Sequence, residues 1–422
     1  MLRSVIVRAL ALSLPFVLVN VGCGGDDDGD TQTTTTTTTT SSTGGSGGEG
    51  GNGSGGNGGE GGSVQAECAP ADPETYDGTN FATNAATELA LRNQLNALNG
   101  LMRNAETDLT VTPTSDELVA LFDAGTPSLR DATTTYYQGE IEAAFDLFAA
   151  AAGNTWTPAS PPVGDGGKYG AYIFSAHGND LRQTVEKGLF GAAFYHHAAS
   201  LSVGPIEEAT IDQILAAFGA HPTFPGDSET ADPTVNPNPD RIGAQYAERR
   251  SPKDPGDSSR PLDAANPGPY FRIKANLIKA QAAVRAGAEC NAVRDQAIKD
   301  VLLDWERVNA ATVIYYMNSA ATQLTTDNAP ETTLAAGLHG YGEGVAFLHG
   351  FRQLPATARL ITDAQIDALL ELIHAPIGQD PRSYELITDG SSTVPALALA
   401  IEQLATIYSF SAQDVEAFKV NH

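Results

Sequence analysis

Apolar side chains recur three and four positions apart through most of the chain after residue 75. In an α-helix this spacing places the side chains on one face, so each run predicts an amphipathic helix. Strict alternation of apolar and polar residues, which indicates strands, is scarce. We therefore predict an all-α fold, a multi-helix bundle. The clearest runs are Leu91, Leu95, Leu98 and Met102; Leu181, Val185 and Leu189; Ile298, Val301, Leu302 and Trp305; Leu334, Leu338, Tyr341 and Val345; and Leu397, Ile401 and Leu404.

Two helix starts carry capping boxes, Thr114 with Glu117 and Thr362 with Gln365. Between about residues 219 and 269 the helical repeat lapses, and frequent prolines there prevent long helices. This segment predicts a long Pro-rich irregular insertion with one short helix near its middle. The helices are expected to form either one bundle or two sub-bundles joined near the insertion.

The first 22 residues have the pattern of a bacterial export signal. Arg3 and Arg8 supply positive charge, and the apolar run that follows is shorter than the roughly 20 residues needed to span a bilayer. Small residues then precede Cys23, as in a lipoprotein signal, although Asn20 stands where leucine is usual. We predict cleavage after Gly22 and lipidation of Cys23. An ordinary secretory signal cleaved near Gly22 is the alternative.

Residues 23–66 form a low-complexity linker of acidic, Thr, Gly and Ser residues, which cannot bury enough apolar surface to fold. As a Gly-rich coil of about 40 residues it would span roughly 30 to 40 Å. We predict a signal peptide at 1–22, a lipidated tether at 23–66 and a globular domain at 67–422. Gly24, rather than Asp, favours the outer membrane of the cell envelope, facing either the periplasm or the surface.

The chain is strongly acidic, with 51 acidic and 24 basic residues and a net charge of −27. Such a charge disfavours nucleic acid as a partner, because binding the phosphate backbone requires basic patches. Neither a Gly-rich phosphate loop, a dinucleotide fingerprint, a Gly-x-Ser-x-Gly elbow nor a His-Glu-x-x-His motif is present. We therefore predict no catalytic residue.

Three cysteines are present, and Cys68 and Cys290 remain if Cys23 carries lipid. The cell envelope is oxidising, so a disulfide between these two is expected. Two independent thiols, an exposed Cys68 and a buried Cys290, are the alternative.

Several segments resemble a family of bacterial envelope lipoproteins known as domain of unknown function 4856, over most of residues 75–420. These segments are 75–78, 186–195, 305–312 and His339-x-x-x-Glu343. The resemblance implies a helical fold and a setting beside imelysin-like proteins and outer-membrane receptors in iron acquisition. A distant resemblance to imelysin-like helical proteins implies metal binding, but their motif is Gly-x-His-x-x-Glu, one residue shorter between His and Glu.

His339 and Glu343 are four residues apart and share a helix face. Their nitrogen and oxygen atoms are ligands for a divalent metal or iron, with a third ligand expected from Glu186, Glu306 or His177. A buried His–Glu hydrogen bond that links helices is the alternative. Four further residues are Glu186, Lys187, Trp305 and Glu306. We expect them either to form an ion-pair network that crosses the bundle or to line a polar cleft.

The tether, the acidic charge and the resemblance favour a non-catalytic binding or accessory lipoprotein of the cell envelope. Its expected partners are the membrane, through the N-terminal lipid, and other envelope proteins, with a role in metal or iron acquisition. A metal-dependent enzyme centred on His339 and Glu343 and a purely structural surface protein are the alternatives.

Overall fold

A computed structural model describes residues 68–225 and 238–422. The all-α prediction is confirmed, because helices dominate and the strands of the described residues form only two short antiparallel hairpins. The predicted signal peptide, Cys23 and the linker to residue 66 lie outside the described residues. None of the described helices combines the length and apolar character that crossing a bilayer requires.

The chain before the insertion forms helices interrupted by one hairpin. The helices are α1 (Phe81–Asn84), α2 (Ala86–Thr107), α3 (Ser115–Phe122), α4 (Leu129–Ala132), α5 (Thr135–Ala151), α6 (Leu181–Leu189), α7 (His196–Leu201) and α8 (Glu208–Phe218). The hairpin joins β1 (Gly167–Tyr169) to β2 (Tyr172–Phe174), with Gly167 opposite Phe174. The capping box at Thr114 is confirmed, since its hydroxyl accepts the Glu117 amide and its own amide donates to the Glu117 carboxylate at 2.8 Å.

The described part of the insertion contains a short helix, as expected, and a second hairpin. They are α9 (Ile242–Arg249), β3 (Lys253–Asp254) and β4 (Asp257–Pro261). The chain then continues through α10 (Pro269–Ala286), a 3₁₀ turn (Ala288–Cys290), α11 (Asn291–Leu324), α12 (Glu331–His349), a 3₁₀ turn (Ala356–Ala358), α13 (Asp363–Leu372), α14 (Glu385–Thr388), α15 (Gly390–Thr393), α16 (Pro395–Tyr408) and α17 (Ala412–Phe418).

Helix α11 is the central element of the fold. Helices α10 and α12 pack along it, and α9, α16 and α17 also contact it. Every residue from Val308 to Met317 is buried, because neighbours surround this part of the helix on all sides. The buried apolar side chains form one cluster that runs from Tyr76 to Tyr408 and includes residues on both sides of the insertion.

The helix that contains α6 and α7 is interrupted by a π-helical segment, Phe190–Tyr195. Such segments are rare and are found frequently at functional sites. The carbonyl of Ala192 accepts a hydrogen bond from the backbone amide of Thr134 at 2.9 Å. The hydroxyl of Tyr195 donates to the carbonyl of Ala358 at 2.5 Å. The irregular turn therefore ties this helix to two neighbouring segments.

Close approach of α6 to its neighbours depends on glycine. A Cβ atom added at Gly188 would lie 1.9 Å from the Tyr137 hydroxyl, and one added at Gly350 would lie 2.3 Å from the Gly188 carbonyl oxygen. Tyr137 donates to the carbonyl of Thr184 at 2.8 Å, which holds its ring against α6. Any larger side chain at Gly188 would force these elements apart.

A disulfide joins Cys68 to Cys290, and their Cα atoms are 4.9 Å apart. Cys290 is buried in the 3₁₀ turn that immediately precedes α11. The two cysteines are 222 positions apart in sequence. The start of the described chain is therefore attached covalently to the start of the central helix.

Candidate functional site

Two pairs of residues that the sequence analysis treated separately meet in the protein interior. Glu186 and Lys187 lie on α6, and His339 and Glu343 lie on α12, which packs against α6. The ammonium of Lys187 lies 3.6 Å from Glu186 Oε1 and 3.4 Å from Glu343 Oε1. All four residues are buried. The predicted ion pairs and the predicted His–Glu pair thus belong to one group of charges, which we call the α6–α12 cluster.

Arg182 extends the α6–α12 cluster by one helical turn. Its Nε atom lies 2.6 Å from Glu106 Oε2, and its Nη1 atom lies 2.8 Å from Glu186 Oε2. Nη1 also donates to Asn99 Oδ1 at 3.3 Å. Helix α2 supplies both Glu106 and Asn99, so this arginine links α6 to α2 within the core.

His339 lies between two carboxylates. Its Nδ1 atom is hydrogen-bonded to Asp180 Oδ2 at 2.8 Å, and its Nε2 atom lies 3.8 Å from Glu343 Oε2. The ring of Tyr172 from β2 stacks on the imidazole, with centroids 3.8 Å apart and planes within 7°. The hydrogen-bond partner of this histidine is therefore Asp180 and not Glu343, which corrects the sequence-based alternative.

Asp180 has a second role as the N-cap of α6. Its Oδ1 atom accepts the backbone amide of Gln183 at 3.0 Å. Asp is among the preferred N-cap residues, since its carboxylate satisfies a free amide at the helix start. The same side chain thus begins α6 and orients His339 on α12.

The α6–α12 cluster carries more negative than positive charge. Its members are four carboxylates, two permanent cations and one histidine: Glu106, Asp180, Glu186, Glu343, Arg182, Lys187 and His339. Burial lowers the pKa of His339, but the carboxylates of Glu343 and Asp180 outweigh this effect, and the pKa is raised above 6.5. Burial also raises the pKa of Glu106. Protonation of His339 reduces the excess negative charge, so the site stabilises the imidazolium form.

Trp305 and Glu306 do not belong to the α6–α12 cluster, and their predicted grouping with Glu186 and Lys187 is corrected by the structure. The Glu306 carboxylate accepts the amides of Leu360 and Ile361 at 2.7 and 2.9 Å and the Tyr408 hydroxyl at 2.9 Å. The ring of Trp305 instead packs edge-on against Tyr195 and Phe218. Glu306 therefore holds the segment before α13, whereas Trp305 belongs to the apolar core.

Of the three candidates for a third metal ligand, Glu186 lies in the α6–α12 cluster but is bound by Arg182 and Lys187, and the other two lie elsewhere. His177 lies near Asp380, at 3.7 Å, and Glu306 binds the amides described above. Within the described residues, no group of three or more His, Cys, Asp or Glu side chains has the arrangement that could hold a metal ion.

Comparisons with known proteins found no protein family, no curated protein and no solved structure that matches this chain. The chemistry of the α6–α12 cluster follows from its own geometry. Its side chains are enclosed by helices α2, α6 and α12 and by the β1–β2 hairpin, and they contact one another. This arrangement is suited to holding the four elements together.

Proposed function

We propose that the chain is a non-catalytic binding or accessory lipoprotein held at the cell envelope by lipid on Cys23. One observation carries the non-catalytic part, namely the enclosure of the α6–α12 cluster. Glu343 is fully buried, Lys187 is 1% exposed, and Tyr172 covers the ring of His339. A catalytic group must contact substrate, whereas these polar side chains are engaged with one another. The surface of the domain is then the part available for partners.

The N-terminal sequence supports the envelope location. A basic start, a short apolar run and Cys23 after small residues are the elements of a lipoprotein signal. Each acyl methylene buried in a membrane contributes about 0.8 kcal/mol, so multiple acyl chains anchor a protein firmly. The net charge of −27 adds no attraction to anionic lipid, which leaves the lipid as the proposed anchor.

The location is tested by expressing the full chain in cells supplied with radioactive palmitate and then separating membranes from the soluble fraction. We expect the wild type to be labelled and to sediment with membranes, and Cys23→Ser to be unlabelled and released. Cys68→Ser is the matched control, because it changes a cysteine without affecting the acylation site. An unlabelled wild type in the soluble fraction would refute the anchoring.

One observation favours a metal-handling role as the second candidate. Asp180 orients His339 so that Nε2 faces Glu343, as carboxylate–histidine pairs do around metals. The residues as they stand do not fit a metal centre, however, because the Lys187 ammonium already lies 3.4 Å from Glu343. A role in metal or iron acquisition would then be exerted through a protein partner.

Elemental analysis and calorimetric titration with Fe, Zn, Mn and Ca test whether the α6–α12 cluster itself binds metal. The full chain is compared with His339→Ala. We expect no stoichiometric metal in the wild type or in His339→Ala. Stoichiometric metal in the wild type that is lost in His339→Ala would replace the non-catalytic proposal by a metal centre in the α6–α12 cluster.

A further inference from the structure

Lys274 of α10 lies in the walls of two neighbouring surface cavities, of about 580 and 560 Å³. The first cavity is lined mainly by the segment 70–74 and by the first half of α10. The second, which we call the Lys274 cavity, is lined by aromatic, hydroxyl and cationic side chains, including Thr75, Tyr76, Thr79, Phe81, His221 and Lys274. The second cavity is large enough for a two-ring organic molecule.

Lys274 is the only lysine or arginine among the described residues that line the Lys274 cavity, and no carboxylate is among them. Its side chain is half-buried, and it forms no hydrogen bond or ion pair among the described residues. Its ammonium lies 5.7 Å from the centre of the Phe224 ring. Nearby cations on the same and the following helix are paired, Arg272 with Asp304 at 2.8 Å and Arg294 with Asp295 at 2.7 Å. In a chain with a net charge of −27, a cavity whose described lining holds a lysine and no carboxylate is suited to an anionic ligand.

Two carboxylates outside the cavity lining, those of Asp240 and Asp257, act on Lys274 through space. Asp240 is buried, and its Oδ2 atom accepts the Tyr270 hydroxyl at 2.5 Å. Burial raises the pKa of Asp240 to about 7, so this group carries only part of its negative charge near neutral pH. Arg92 acts on the same region and, after burial, is the second cause that lowers the pKa of His221. The described lining of the cavity itself therefore contributes positive and no negative side-chain charge.

Three rings, those of Tyr76, Phe81 and His221, are among the lining residues of the Lys274 cavity. Phe81 meets the His221 ring edge-on with centroids 6.0 Å apart, and Tyr76 meets Phe224 in the same manner at 6.4 Å. Aromatic edges and faces favour a flat ring system as the ligand. A carboxylate on that ring would form a charge-assisted contact with the ammonium of Lys274.

We infer that the Lys274 cavity binds a small planar organic anion, with its ring against the aromatic side chains of Tyr76 and Phe81 and its carboxylate on Lys274. This assignment rests on the binding role proposed above and gives it a ligand class. A flat aromatic carboxylate satisfies both the cation and the rings, whereas an aliphatic or neutral molecule satisfies only one of them.

The probe is 2-naphthoate, titrated calorimetrically into the full chain. We expect Lys274→Gln to weaken binding about tenfold, which corresponds to about 1.4 kcal/mol, and the neutral 2-naphthamide to bind at least as weakly. Lys279→Gln is the matched control, since Lys279 is exposed, lies on the same helix and lines only the first cavity. Raised salt should weaken naphthoate binding, because an exposed charge pair is screened.

Either of two results would overturn the assignment: no binding of naphthoate at millimolar concentration, or equal affinity in the wild type and Lys274→Gln. Thermal unfolding of each variant verifies that Lys274→Gln is folded, since a half-buried lysine on a helix surface contributes little to packing. The palmitate experiment is independent of this titration. If naphthoate does not bind but the protein is labelled with palmitate and sediments with membranes, only the ligand class is rejected. If the protein is unlabelled and soluble, the proposed anchoring is rejected.

Discussion

Replacement of Arg182 by Met tests whether the α6–α12 cluster stabilises the fold. The guanidinium lies 2.6 Å from Glu106 and 2.8 Å from Glu186, and the residue is only 5% exposed. Methionine fills a similar space but leaves two buried carboxylates without their main cationic partner. Removing one member of a buried ion pair costs about 3–5 kcal/mol, because the remaining charge stays desolvated. We expect Arg182→Met to lose about this much free energy of unfolding at neutral pH.

Urea unfolding followed by far-ultraviolet circular dichroism measures the loss. Arg285→Met is the matched control, because Arg285 pairs with Asp77 at 2.8 Å but its side chain is 43% exposed. An exposed ion pair contributes about 0–1 kcal/mol, so this variant should unfold near the wild-type midpoint. The double variant Arg182→Met with Glu106→Gln should recover part of the loss. Equal losses in Arg182→Met and Arg285→Met would refute the reasoning.

Three further predictions concern pH, the disulfide and packing. The pKa of His339 is raised in the folded protein, so protonated His339 stabilises the fold fully below the unfolded pKa of 6.5, and this stabilisation is lost as pH rises through the folded pKa. The difference in melting temperature between wild type and His339→Gln should therefore shrink as pH rises from 6.5 through the folded pKa. A difference that stays constant over this pH range would contradict the prediction. Cys290→Ser should cost about 2–4 kcal/mol in urea unfolding, and Cys68→Ser should cost the same, because either change opens one loop. Gly188→Ala should cost about 1–3 kcal/mol because its methyl group would overlap a tyrosine hydroxyl, whereas Gly139→Ala, with no atom within 4 Å of the added carbon, should be neutral or slightly stabilising in the same assay.

The helices were predictable from the sequence because their signals are local. Thr362 caps α13 with Gln365 through the expected reciprocal hydrogen bonds, which requires only residues three positions apart. His339 and Glu343 share a face of α12 for the same reason. In each case the helical period fixes the relation between two residues regardless of the rest of the fold.

The assembly of the α6–α12 cluster was not predictable in the same way. Asp180 is 159 residues from His339, and Glu106 is 76 residues from Arg182. Their meeting depends on how α2, α6 and α12 pack, which the period of each helix does not determine. The predicted grouping of Trp305 with Glu306 was wrong for a related reason. Adjacent residues of a helix point about 100° apart, so Trp305 contacts different neighbours from Glu306. Asp180 directly precedes the apolar run that begins at Leu181, and this N-cap signal is local, but it does not indicate that the same carboxylate binds His339.

The bond between Cys68 and Cys290 determines how a mechanical load would travel through the molecule. A pull from the N-terminal side reaches Cys68 and passes through the two sulfur atoms to Cys290, at the start of the central helix. The intervening segment, which includes the Lys274 cavity and the residues of α6, bears none of that tension. Without the disulfide, unfolding of these 222 positions would lengthen the chain by roughly 3.5 Å per residue, or about 780 Å in total. A copy pulled from its N-terminal side would thus transmit force to its central helix while the backbone of the loop closed by the disulfide is bypassed.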